Sequence, residues 1–286
     1  MSGAANGHIR IHDLGVRFGS GASTVAAVSE VSMEVPPGTF VSIVGPSGCG
    51  KSTLLNAVAG FVQPSEGSVS VDGVAIDKPG ADRGMVFQQY SLFPWKTVRE
   101  NVEFGLKMQG KDKTQRVTAA RTLLGLAGLL AFENHYPEQL SGGMKQRVGI
   151  VRALATSPQV LLMDEPFGAL DAQTRMVMQQ ILTNMWQRLR ISVLFITHDI
   201  DESIYLSDTV YVMTARPGRI KAALRVDLPR PRTPALTSTP AYLALRQQLH
   251  ELIREESIKA MGGEISAEGM DGLGVDIGPK GFGALV

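Results

Sequence analysis

Apolar and polar residues alternate at Ile9-Arg10-Ile11 and again from Val31 to Val35, a period of two that predicts strands with one buried face. Pro36-Pro37-Gly38 marks a turn, and the apolar run Thr39 to Val44 has the pattern of a parallel strand buried on both sides. Lys51 to Gly60 reads as a helix that ends at its glycine. Gly67 to Ile76 alternates again around a hairpin turn at Asp72-Gly73. Helical periodicity covers Val98 to Gln109, Thr114 to Leu130 and Gly142 to Thr156, with no strand between the first two. A buried strand at Val160 to Met163, a helix over Ala172 to Leu189 and a strand at Val193 to Thr197 follow. Strand, loop and helix in alternation on both sides of an all-helical stretch predict an α/β core with an insert at about residues 90–156. Beyond Arg232 the pattern decays. Pro231, Pro234 and Pro240 set off one amphipathic helix, Ala241 to Ala260, and residues 261–286 read as a flexible glycine-rich tail.

Composition narrows the class without naming it. The 286 residues are 44% hydrophobic and 19% charged, as in ordinary globular chains, and long enough for a sizeable core. A formal net charge of +1 supplies no basic field for nucleic acid. The single cysteine, Cys49, precludes an intrachain disulfide and fits a reducing compartment. Met1 to Gly7 lacks the charged start and apolar core of a secretory signal. The longest apolar run, Leu123 to Phe132, is about half of a bilayer span. These features predict a soluble, cytoplasmic protein; any membrane spans it serves belong to another chain.

The strongest chemical signal is Gly45-Pro46-Ser47-Gly48-Cys49-Gly50-Lys51-Ser52, followed by Thr53. It fits the phosphate-loop pattern and lies between an apolar strand and a helix, the context that pattern requires. Glycines let backbone N–H groups converge on an anion, and the helix start adds partial positive charge. Lys51 would reach the β- and γ-phosphates of a nucleoside triphosphate, and the Ser52 hydroxyl would hold Mg²⁺. Cys49 contributes backbone here, its thiol filling space.

Val160-Leu-Leu-Met-Asp164-Glu165 is a buried strand ending in two acids. Neighbouring residues at a strand end point to different sides, so each acid can take its own task. Asp164 suits the Mg²⁺ contact and Glu165 the polarisation of an attacking water. His198, after the strand Val193 to Thr197, can sense a γ-phosphate by hydrogen bonding. Alone, an Asp-Glu pair more often caps a helix and a strand-end histidine is more often structural; beside a phosphate loop both read as catalytic.

Leu140-Ser141-Gly142-Gly143-Met144-Lys-Gln-Arg147 opens another helix with a second glycine turn and no lysine to complete it. With this turn the sequence resembles the ATP-binding-cassette (ABC) family over residues 8 to about 232. The resemblance implies a P-loop NTPase core with an N-terminal antiparallel β subdomain and an all-helical insert, followed by a helical extension over residues 233–260. It implies a homodimer in which Ser141, Gly142 and Gly143 complete the partner's ATP site. It places Gln88 at Mg²⁺ beside Ser52 and Asp164, Ala169-Leu170-Asp171 between the two sites, His198 as the switch histidine and Phe18 against adenine. Met144 departs from the family's usual glutamine. Ser-Gly-Gly-Met, Pro79 to Gly84, Leu92-Phe-Pro-Trp95 and Ala215-Arg-Pro-Gly-Arg-Ile220 look like the branch that imports nitrate, sulfonates and taurine.

That branch implies an energising subunit at the cytoplasmic face of the inner membrane, working with integral membrane permease subunits and an extracytoplasmic solute-binding protein. The alternatives are an ABC ATPase of another transporter class and a non-transport ABC ATPase acting on DNA or ribosomes; near-neutral charge speaks against the latter. The apolar stretch Tyr90 to Glu100 suits a socket for a permease helix, or pins the insert through Phe93 and Trp95. Arg216, Arg219, Lys221, Arg225, Arg230 and Arg232 form a basic run that we expect to be a solvated strand edge.

Overall fold

A computed structural model describes residues 6–260; the glycine-rich tail lies outside the described residues. Two sheets carry the fold. The first joins β1 (Ile9–Phe18), β2 (Val25–Val35), β4 (Glu66–Val71) and β5 (Val74–Ala75) in the antiparallel order β2-β1-β4-β5. Positive φ at Asp72 (50°) and Gly73 (80°) gives its last hairpin the left-handed two-residue turn that matches strand twist.

The second sheet has six strands in the order β10-β9-β3-β8-β7-β6, namely β10 (Ile220–Arg225), β9 (Thr209–Met213), β3 (Phe40–Val44), β8 (Ser192–Ile196), β7 (Val160–Asp164) and β6 (Arg83–Val86). Five run parallel and β10 alone antiparallel. β3 and β8 are buried at every position, which is why their sequences read as unbroken apolar runs. β6 is an addition to the sequence reading: four residues at a sheet edge, two of them half-buried, carry too short a pattern to register. A Cβ on its Gly84 would lie 2.9 Å from the Ala153 carbonyl oxygen, so glycine there lets the edge strand meet the helix behind it.

Helix α1 (Lys51–Ala59) is stopped by Gly60 at φ 81°. The insert comprises α2 (Val98–Met108), α3 (Lys113–Leu126) and α4 (Gly142–Ala155). Thr97 and Glu100 form a reciprocal capping box on α2. α3 stops short of the expected Leu130, because Gly128 turns the chain at φ 66° and Leu130–Phe132 form a separate short turn. The insert shares one core with α5 (Ala172–Leu189), through Leu124, Val148, Val151, Met178 and Leu182. The short α6 (Ile200–Leu206) leads back to β9, and α7 (Pro240–Ala260) closes the chain. Tyr242 and Leu249 of α7 pack with Val210, Val212 and Leu224 of β9 and β10, so this extension is seated on the core sheet.

The basic run is the expected solvated edge only at Arg216, Arg219 and Arg225, which are exposed; Lys221, Arg230 and Arg232 are drawn inward. Arg232 is 2% exposed and donates to the carbonyls of Ile204, Tyr205, Ser207 and Val226. Burial beside Arg230 lowers its pKa to about 10. Arg230 lies over the Trp186 ring, 4.3 Å from its centroid, and pairs with Asp208. Arg219, Lys221 and Arg225 pair with Glu30, Glu256 and Asp227. Lys221 thereby ties β10 to α7, and Arg230 and Arg232 fasten the following segment to the end of α6 and the start of β9.

Candidate active site

Because β3, β6, β7, β8 and β9 are parallel, their carboxyl ends share one edge of the sheet, where α/β folds bind ligands. β3 runs there into the glycine loop. Gly48 and Gly50 have φ of 73° and 102°, which side chains rarely adopt, and a Cβ on Gly50 would lie 2.6 Å from Val28 Cγ1. Lys51 is 6% exposed, and its Nζ donates to the carbonyls of Gly45 (2.8 Å) and Pro46 (3.0 Å). The ammonium is therefore held over the mouth of the loop. Burial outweighs the nearby Lys51 charge and raises the Cys49 pKa. The thiol, 1% exposed, stays protonated and fills space, as expected.

β7 ends at Asp164 and Glu165 lies one residue beyond it, so the two acids diverge through the bend that follows the strand. Asp164 Oδ1 accepts from Ser52 Oγ at 3.1 Å. Desolvation raises its pKa, assisted by Glu165 and opposed by Ser52 and Lys51. Glu165 takes φ 42°, a strained value for a residue with a side chain, and its N–H donates to Ile196 O of β8. That bend sends its carboxylate elsewhere: Oε2 lies 3.2 Å from His198 Nδ1 and accepts from Gln88 Nε2 at 3.5 Å. Gln88 follows β6 and His198 follows β8, so three strand ends converge on one carboxylate.

His198 is steadied from behind. Thr197 Oγ1 donates to Glu202, which is 4% exposed and also accepts from Gln179 Nε2 at 3.1 Å. Burial raises the Glu202 pKa against both hydrogen bonds. Asp199 accepts from Arg175 Nη1 at 2.8 Å, fastening this segment to α5. The sequence reading passed over Glu202, whose role depends on burial that no motif announces.

A cleft of about 270 Å³ is lined by Ser47, Gly48, Gly50 to Thr53, Glu165 and Arg216. Arg216 was not among the expected site residues. Ser141, Gly142 and Gly143 do not line this cleft; Ser141 caps α4, accepting from Met144 N–H at 3.4 Å. Met144 is half-buried and packs on the insert core, where a flexible apolar side chain fits. Phe18 is 49% exposed, so it is not a core residue, and it pairs across the hairpin with Val25. Three residues on, Val28 touches the phosphate loop, about 10 Å along the strand.

Comparison with known proteins identifies the family. The family model described as ABC transporter matches residues 28–168. The chain is 48% identical over 253 residues to the nitrate import ATP-binding protein NrtD of Synechocystis sp., covering 86% of this chain and 95% of that one. It is 48% identical over 235 residues to the taurine import ATP-binding protein TauB of Rhizobium johnstonii, covering 80% and 90%. Among solved structures it is similar to a dimeric ATP-binding cassette in a post-hydrolysis state bound to ADP and Pi, with TM-score 0.68, 32% identity and coverage of 76% and 98%. A phosphate loop at one strand end, two divergent acids and a histidine at the next, and relatives matched over nearly their whole length lead to one conclusion: this chain is an ATP-binding, ATP-hydrolysing member of the ABC transporter family.

Proposed function

We propose that the protein powers the import of nitrate, taurine or another small sulfonate or anion. Two subunits would lie head to tail beneath an integral membrane permease, with an extracytoplasmic solute-binding protein delivering the cargo. The observation that carries this reading is the near-full-length match to nitrate and taurine import subunits. No helix among the described residues is long and apolar enough to cross a membrane, so attachment would run through the permease, on its cytoplasmic side. We assign residues 8–232 to the cassette and residues 233–260 to an appended helix.

In the proposed cycle, Lys51 and the amides of Gly45 to Thr53 gather the β- and γ-phosphates. Glu165 orients and polarises the attacking water, and His198, held by Thr197 and Glu202, fixes the Glu165 carboxylate. Ser52 Oγ and Asp164 Oδ1, 3.1 Å apart, form the small hard-oxygen set that suits Mg²⁺, which takes few protein ligands and completes its shell from phosphate and water. Gln88, whose amide reaches the adjacent Glu165, would join them. Bound there, Mg²⁺ would neutralise charge on the phosphates. Ser141 to Gly143 of a second subunit would close the site, so ATP joins the subunits and hydrolysis releases them. The Tyr90 to Glu100 stretch divides its tasks. Phe93 packs on Phe104 (4.7 Å between centroids) and its backbone is bound by the buried Asn101, whereas Trp95 is 71% exposed and free to meet a permease helix.

The test is a deletion strain grown on nitrate or taurine as the only nitrogen or sulfur source, paired with copurification of the tagged protein. Loss of growth on one of them, with capture of an integral membrane protein, is expected. Normal growth on both, with no membrane partner, would overturn the importer reading.

A further inference from the structure

The parallel strands deliver a chemically active residue at every carboxyl end the sequence reading considered. β6 leads to Gln88, β7 to Glu165, β8 to His198 and β3 to the phosphate loop. The fifth parallel strand, β9, pairs with β3 up to Val212 beside Val44 and then enters the turn Thr214 to Arg219. This turn lies against the loop. A Cβ on Gly218 would collide with the Cys49 carbonyl, and the Gly218 N–H donates to Ala27 O at 3.0 Å. Arg216 sits at its tip and lines the cleft with Ser47, Lys51 and Glu165. Every other cation of the basic run is occupied by a carboxylate or by backbone carbonyls. Arg216 is exposed and, among the described residues, has neither an ion pair nor a side-chain hydrogen bond.

The backbone around it is fixed. Thr214 Oγ1 donates to Pro217 O at 3.2 Å and accepts from Arg219 N–H at 3.0 Å. The Ala215 N–H donates to Glu256 Oε2 at 3.0 Å. Glu256 belongs to α7, is 1% exposed, and also accepts from Lys221 (2.8 Å) and Lys259 (2.7 Å). A guanidinium without a partner, carried on a clamped turn and lining the cleft of a loop built for phosphate, is placed to meet an anion. Lys51 spends part of its donor capacity on Gly45 and Pro46, which leaves room for a second cation.

We propose that Arg216 is a phosphate-binding residue of the nucleotide site, and that Glu256 of the C-terminal helix is the positioning residue that holds its turn. The assignment rests on the reading of Gly45–Ser52 as the phosphate loop. It makes the end of α7 a structural part of the ATP site.

The test is nucleotide titration and steady-state ATPase assay of the full-length protein. Arg216→Ala should weaken ATP binding about tenfold and raise KM by the same factor, and Arg216→Lys should recover part of the loss. Glu256→Gln should raise KM about threefold at unchanged kcat, and should add nothing in the Arg216→Ala background, because both changes remove one contact. Full affinity in Arg216→Ala overturns the assignment; an additive Glu256 effect overturns the positioning role. Lys51→Ala reports on the loop itself. A dead Lys51→Ala beside an unaffected Arg216→Ala would sink this inference while leaving the loop intact.

Discussion

Two glycine turns open helices in this chain, one at Gly48 to Gly50 ahead of α1 and one at Ser141 to Gly143 at the start of α4. In the first, Gly48 and Gly50 occupy left-handed backbone, and the turn bends N–H groups around the point where Lys51 is held. In the second neither glycine has positive φ, and both belong to the first turn of the helix. They are small because of what lies above them: a Cβ on Gly142 would be 2.9 Å from Tyr90 Oη, and one on Gly143 would be 2.6 Å from Thr174 Cγ2. In the sequence both are glycine turns ahead of a helix, and only the first has a lysine to complete it. The second is a helix start whose glycines lie against Tyr90 and Thr174 of α5. One residue type thus serves backbone conformation in one turn and close approach in the other. Only the first lines the cleft with Lys51, while the serine of the second caps its own helix.

The largest expected effect breaks the two turns one at a time. Lys51→Ala and Ser141→Arg should each cut phosphate release on the order of a hundredfold, as loss of a preorganised charge contact does. If the turns belong to composite sites, mixing the two inactive variants should restore about a quarter of wild-type turnover, because half of the dimers then carry one intact site. No recovery on mixing, with subunit exchange confirmed, would count against the head-to-tail site.

A second, smaller effect separates conformation from packing. Gly143→Ala should destabilise by roughly 1–3 kcal/mol through overpacking, and Thr174→Ser, which removes the opposing methyl, should return most of it in thermal melts. Gly48→Ala has nothing within 4 Å of its Cβ, so its cost of about 1–2 kcal/mol comes from the backbone and no neighbouring substitution should rescue it. Rescue at both glycines, or at neither, would erase the distinction.

The smallest effect concerns pH. Asp164 stands beside the first turn with its pKa raised, so between the ordinary carboxylate value and the raised one the native state binds more protons than the unfolded chain. Stability from this group is present at low pH and declines as pH rises through that window. Asp164→Asn should flatten that decline in nucleotide-free melts. Ser141→Ala, at a turn with no titratable side chain of its own, should leave it unchanged.

The site was legible to different depths. Gly45–Ser52 could be read directly, because its spacing between an apolar strand and a helix leaves little choice of structure. Asp164 and Glu165 were legible as a pair of acids at the end of an apolar strand. The left-handed turn at Glu165, which brings its carboxylate to His198 and Gln88, was not. Strand β6 escaped notice through its brevity, and the basic run through its composition. Five of those six cations meet their partners only across elements distant in sequence or on the next turn of chain, as Lys221 meets Glu256 from α7.

By itself the sequence determined the periodic elements, the phosphate loop and the strand-end acids, since each rests on local rules of spacing, burial and backbone conformation. The tertiary structure decided which ends of which strands share an edge. It set Gly142 and Gly143 against Tyr90 and Thr174, buried Glu202 behind His198, and brought Arg216 to the cleft beside the phosphate loop. Those outcomes depend on contacts between residues far apart in the chain, and no local pattern records them.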